Sequence, residues 1–190
     1  VPQRTLNTQL VYSRAGRRWK RVCDRQTFLD TGPPERWDRA WVTPSHNPPI
    51  RIGDRLYIFY QGRRTLHWAE PPFGHIGSIG LALLRPDGFV SMNARNQEGS
   101  VTTSTLLLEG ESLYLNAAAR PGSVAVEVLD ADGGAIRGFS REDCIPLTMA
   151  DTLDHAVRWK NGRSIDELRG RSVRLRFHLQ GARLFSFWME

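Results

Sequence analysis

Two stretches decide the fold: Asn47-Pro48-Pro49-Ile50-Arg51-Ile52-Gly53-Asp54-Arg55-Leu56-Tyr57-Ile58-Phe59-Tyr60-Gln61-Gly62, and Ile76-Gly77-Ser78-Ile79-Gly80-Leu81-Ala82-Leu83-Leu84-Arg85-Pro86-Asp87-Gly88-Phe89-Val90-Ser91-Met92. Both are short runs of aromatic and β-branched residues, interrupted by Gly53-Asp54 and Pro86-Asp87-Gly88. Such runs separated by turn formers read as antiparallel strands joined in hairpins. The expected strands lie near 39–43, 49–52, 55–61 and 76–84, with a trailing turn and strand at 85–92, which together make one sheet the size of a propeller blade.

Working outward, residues 9–22 read as a hairpin around Ala15-Gly16, and Gly32-Pro33-Pro34 makes 23–38 a loop. Residues 62–75, with Pro71-Pro72 and Gly74, form a long insertion, a place where binding groups concentrate. The polar run 93–100 marks a module boundary, giving modules 1–95 and 96–190 of ordinary domain size. Beyond it, strands are expected near 101–108, 111–118, 123–129, 135–139, 153–159, 172–179 and 182–189. Asp130-Ala131-Asp132-Gly133-Gly134 is a turn, Gln180-Gly181 a tight hairpin, and Ser164 with Glu167 a capping box over one helical turn. Short strands at this spacing predict a jelly-roll-like β-sandwich.

The order of the first module resembles the last blade of the five-bladed β-propellers in bacterial glycoside-hydrolase-like proteins related to families 32 and 43. In the second half, Gly138-Phe139-Ser140-Arg141-Glu142-Asp143-Cys144, Val157-Arg158-Trp159-Lys160-Asn161-Gly162, 168–177 and 182–187 are similar to the β-sandwich that closes many of them. The resemblance implies an all-β chain, a partial propeller-blade region followed by a sandwich, entered in mid-blade. It also implies an extracellular or periplasmic setting.

The chain of 190 residues is 40% hydrophobic, enough for one large or two small cores. No apolar run approaches the roughly 20 residues of a membrane-spanning helix, and no membrane partner is expected. Its +6 charge is unevenly placed: residues 1–95 hold 15 Lys/Arg against 7 Asp/Glu, and residues 96–190 hold 11 against 13. A basic surface steers nucleic acid, acidic polysaccharide or acidic partners. Since only Lys20 and Lys160 are lysines and many arginines alternate with apolar residues, a general arginine bias ranks ahead of a nucleic-acid function, and no nucleic-acid partner is expected. Arg174 and Arg176, alternating with Val173, Leu175 and Phe177, read as a solvated strand face. Cys23 and Cys144 match no thiolate metal pattern, and Cys144 reads as a small buried thiol.

Glycosidases need two carboxyl groups about 5–5.5 Å or about 6.5–9.5 Å apart. In the family resembled they come from early blades, which have no counterpart here, so Asp38 and Glu70, with Asp54 in its turn, are only weak catalytic candidates. The ring-and-donor set Trp37, Trp41, His46, Tyr60, Arg63, Arg64 and Trp68 is of more interest, because sugars stack on aromatic faces while planar donors bind their hydroxyls. Core packing ranks first for these residues, ligand contact second and interface third. His46, His67 and His75 have no metal-ligand spacing; neither a metal nor a cofactor is expected. Trp159, at a strand end, is expected to be partly exposed.

These readings give a non-catalytic structural or carbohydrate-recognition portion of a glycoside-hydrolase-like protein, with carbohydrate as ligand. Two alternatives stand beside it: a glycosidase completed by other chains or by further blades, and an assembly module pairing through blade edges as a homo-oligomer.

Overall fold

The computed structural model describes residues 5–66 and 77–190. Among them the chain is all-β: every regular element is a strand or a short 3-10 turn. It divides into two units, Val1–Phe89 and Val90–Glu190.

In the first unit the strands are β1 (Thr8–Gln9), β2 (Val11–Tyr12), β3 (Lys20–Arg21), β4 (Thr27–Leu29), β5 (Trp41–Pro44), β6 (Ile50–Ile52), β7 (Arg55–Arg63) and β8 (Gly77–Leu84). β7 is the centre. β8 pairs along one edge of it, from Leu56↔Leu84 to Arg63↔Gly77. Both β5 and β6 must therefore use the other edge, β5 from Trp41↔Arg63 to Pro44↔Tyr60 and β6 from Ile50↔Tyr57 to Ile52↔Arg55. The four strands expected from the sequence thus fill three positions. Proline at 44, 48 and 49 lacks the amide hydrogen a continuous ladder needs, so the chain leaves the sheet between β5 and β6. Beyond β5, Leu6 pairs with it in parallel through Leu6 N–H to Ala40 O at 2.9 Å and Val42 N–H to Leu6 O at 2.8 Å.

Residues directly opposite in a ladder share a face, and successive residues alternate. One face of this sheet therefore carries Val42, Ile58, Tyr60, Gly62 and Gly80, and is covered, with Val42 wholly buried. The other face carries Trp41, Thr43, Tyr57, Phe59, Gln61, Arg63, Ile79, Leu81 and Leu83, and is open: Ile79 is 79% exposed.

In the second unit the strands are β9 (Met92–Ala94), β10 (Gly99–Thr102), β11 (Leu106–Leu107), β12 (Leu113–Ala118), β13 (Ser123–Asp130), β14 (Cys144–Ile145), β15 (Leu147–Thr148), β16 (Asp151–Ala156), β17 (Arg158–Trp159), β18 (Ser172–Gln180) and β19 (Ala182–Met189). They form one sheet in the order β10-β18-β13-β15, with β11 also on β18, and a second in the order β16-β12-β19-β9. Val124, Val126, Val128, Val173, Leu175, Phe177 and Leu179 of the first sheet share a single apolar cluster with Leu113, Leu115, Ala117, Ala182 and Leu184 of the second. Burial at every second residue of β13 and β18 is the period of a strand with one face in the core.

Four sequence expectations are corrected here. The boundary lies at Phe89/Val90 rather than 95/96, because Met92–Ala94 pairs with β19 of the second unit. Residues 135–139 are not a strand: Ala135 makes one isolated bridge, to Leu129, and turns follow. Gln180-Gly181 is not a hairpin, since β18 and β19 belong to different sheets and Gly181, at φ +53°, passes the chain between them. That passage is tight, and a Cβ on Gly122 would lie 1.7 Å from the Gln180 carbonyl oxygen. Finally, Trp159 is 1% exposed rather than half open; its indole donates to Val126 O at 3.1 Å and its ring meets Phe139 edge-on at 5.1 Å. Ser164 and Glu167 do form the capping box of a 3-10 turn, Ile165–Leu168.

Phe177 is 1% exposed, its ring 4.9 Å from that of Phe187. Phe177→Ala is expected to cost about 3–5 kcal/mol, read as a shift in denaturant midpoint. His155, opposite Leu115 on β16, is pushed below its ordinary value by burial alone. The unfolded chain then binds the proton more readily, so stability is full above the unfolded value of about 6.5 and is lost as the pH falls below it. His155→Gln is expected to narrow the drop in midpoint between about pH 7.5 and about pH 5.

Candidate functional site

The ring-and-donor residues sit on both faces of the first-unit sheet. On the covered face, Gly62 and Gly80 clear the space for two rings. A Cβ on Gly62 would lie 2.3 Å from the Trp37 ring, and one on Gly80 would lie 2.2 Å from the Tyr60 ring. The two rings stack at 5.7 Å and 12°. Tyr60 Oη donates to Asp38 Oδ2 at 2.9 Å. Burial first, and then the Asp38 carboxylate, push the Tyr60 phenol above its ordinary 10, so it stays protonated and keeps donating. Arg39 fastens this loop, its Nε donating to Arg64 O and its Nη1 to Pro34 O, both at 3.0 Å.

On the open face, Trp41 and Arg63 are opposite one another, and the Arg63 guanidinium lies 4.4 Å over the indole. Trp41 Nε1 donates to Thr43 Oγ1, which fixes the edge of the ring. Arg63 Nε has no hydrogen-bond partner among the described residues. Thr43, Ser45, His46, Phe59, Tyr60, Gln61 and Ile79 line an adjoining cleft of about 260 Å³. At this end of the sheet strands β5 and β7 present a half-buried indole, a guanidinium, an amide and a hydroxyl, and the exposed His46 imidazole in the loop after β5 lines the same cleft as the amide and the hydroxyl. They can stack one apolar ring face and bond hydroxyls around it.

The set read from the sequence is therefore divided. Trp41, His46 and Arg63 gather at the open face and its cleft. Trp37 and Asp38 belong to the covered packing, while Tyr60 joins that packing and also borders the cleft. Arg64 is exposed, its backbone carbonyl holding Arg39. Trp68 and Glu70, together with His67 and His75, lie outside the described residues. Asp54 sits in the exposed β6–β7 turn, 4.0 Å from Arg55. Among the described residues, no group of three or more His, Cys, Asp or Glu is placed to hold a metal ion. Gln61, Thr43 and Phe59 were not singled out from sequence, although the spacing by two from Phe59 through Gln61 to Arg63 was visible as strand alternation.

A second cluster lies in the other unit. Glu127 on β13 accepts from Arg176 Nη1 at 3.2 Å and lies 3.1 Å from His178 Nε2, both on β18. Arg176 Nε donates to Thr102 Oγ1 at 3.2 Å. Glu127 and His178 side chains are only 12% and 14% exposed, so the expectation of a solvated arginine face is corrected: Arg176 is half-covered and ties β10, β13 and β18 together. Arg174 likewise donates to Thr103 O at 3.2 Å. Cys144 is a free, buried thiol whose sulfur accepts from Val126 N–H at 3.2 Å, and burial pushes it up. Cys23 is free and exposed.

Compared with protein-family models, with curated proteins and with solved structures, the chain gives no match in any of the three.

Tyr60→Phe removes one part-buried bond and is expected to cost about 0.5–1.5 kcal/mol. Because the folded-state value is raised, what this phenol contributes is complete below about pH 10 and is lost above it. The wild type should thus lose stability faster than Tyr60→Phe at high pH. Gly80→Ala drives a methyl into the Tyr60 ring, and about 1–3 kcal/mol of overpacking is expected in the same unfolding assay.

Proposed function

We propose that the chain is a non-catalytic carbohydrate-recognition module, the closing portion of a glycoside-hydrolase-like protein with a terminal propeller blade and a β-sandwich. The observation that carries this reading is the open sheet face where Trp41, held by Thr43 and overlain by Arg63, stands beside the cleft that Thr43, Gln61 and His46 line. A flat ring with fixed planar donors around it is what a sugar ring and its hydroxyls require. The one carboxylate of the described ring cluster, Asp38, belongs to the covered face and is bonded by Tyr60, an arrangement that favours binding over the paired-carboxylate chemistry of hydrolysis.

One observation favours a second role for the same face. Toward its other end Leu81, Leu83, Ile50 and Ile52 are exposed around a half-buried Tyr57, and β8 is uncharged throughout. Long apolar edge strands recruit further strands, so this end supports the assembly reading, with a second copy or a further blade covering it.

Titration of the full chain with a panel of neutral oligosaccharides, followed by tryptophan fluorescence, tests the proposal. Saturable binding is expected for at least one glycan. Trp41→Ala should abolish it with a small change in melting temperature, whereas Trp37→Ala should lower stability by about 2–3 kcal/mol, below the fully buried range. Failure of every glycan to saturate, or equal binding by Trp41→Ala, would overturn it.

A further inference from the structure

The β2–β3 hairpin is the most one-sided charge on the chain. Between Val11 and Arg21 stand Arg14, Arg17, Arg18, Lys20 and Arg21, with no carboxylate among them. Arg21 is engaged, its Nη1 donating to Gln9 Oε1 at 2.7 Å. Among the described residues no carboxylate pairs with Arg14, Arg17, Arg18 or Lys20, and all four are exposed. Like charges gathered this closely repel one another, and an anion bound among them relieves that repulsion.

Three further features give the hairpin the form of a site. The four cations line, with Tyr12 and Ser13, a groove of about 590 Å³. Ser13 Oγ is buried in that wall with no hydrogen-bond partner among the described residues, so the wall beneath the cations is polar. Trp19 is 62% exposed, and its indole Nε1 donates to Gly16 O at 3.2 Å, which holds an apolar ring outward at the hairpin. Gly16, at φ +70°, makes the reversal that lets this bond form.

We propose that this hairpin binds an anionic polysaccharide, a chain of sugar units bearing carboxylate or sulfate groups. The proposal rests on the carbohydrate reading above but uses none of the same residues. Guanidinium forks bond carboxylates and sulfates in pairs. The exposed Tyr12 phenol serves sugar hydroxyls, and Trp19 takes the apolar face of one ring. A single-stranded nucleic acid ranks second: it is held by rings stacked under successive bases, whereas of the two exposed rings here Tyr12 belongs to the groove wall and Trp19 stands outside that wall.

Binding of the full chain to polygalacturonate, to heparin, to a neutral glucan and to a single-stranded oligodeoxynucleotide decides it; the first two separate carboxylate from sulfate. Binding to at least one of the two polyanionic glycans is expected, weakening as salt is added. The triple variant Arg14→Gln, Arg17→Gln, Arg18→Gln should lose roughly tenfold or more in that affinity with an unchanged melting temperature. Trp41→Ala should leave it intact. If neutral oligosaccharides fail to bind while the hairpin-dependent affinity persists, the sheet-face reading falls and the hairpin site stands. Equal binding by the triple variant, tighter binding of the oligodeoxynucleotide than of both polyanionic glycans, or binding of neither glycan would overturn the proposal.

Discussion

The ladder on both edges of β7 is the constraint from which the first unit follows. With β8 along one edge and β5 and β6 sharing the other, every residue of Arg55–Arg63 is committed to one face by its parity. Glycine at 62 and 80 admits the stacked Trp37 and Tyr60 rings on one side, which closes it. The opposite parity brings Tyr57, Phe59, Gln61 and Arg63 to the other side, and β5 adds Trp41 and Thr43. A one-residue slip would exchange the two sets, so the packing on the closed face also selects what is displayed on the open one. In this unit core and candidate site are two readings of one register.

The second unit obeys the same alternation with a different outcome. Inward residues of β13 and β18 meet those of β12 and β19 in one core, closed by Phe139, Trp159, Ile165 and Leu168. Outward residues pair across strands instead of remaining free, as Glu127 does with Arg176 and His178. Such a network holds strand register, since a carboxylate this covered must keep its partners. Gly122 and Gly181 permit the close passage that sends the chain from one sheet to the other.

Much of the fold was legible because strands leave a period of two. Val173, Leu175, Phe177 and Leu179 announced a half-buried strand, and Ser164 with Glu167 announced a cap. Less legible was anything set by pairing between distant segments. That β5 and β6 share an edge depends on which side β8 takes, and that Gly181 links two sheets depends on the partners of β18 and β19. Trp159 looked partly exposed from its place beside a turn, yet Phe139 and the Val126 carbonyl bury it. Of the candidate site, residue types were readable and faces were not. Trp37 and Trp41 stand four apart in sequence, one in the covered packing with Tyr60 and one on the open face.

Residue-resolved NMR during titration with an oligosaccharide tests the central claim most directly, because the two faces carry separate reporters. The account predicts shifts at the Trp41 indole, the Gln61 side-chain amide and the Ile79 methyls, with the Trp37 indole and the β18 amides unmoved. Shifts confined to residues 90–190, or none at saturating glycan, would contradict it.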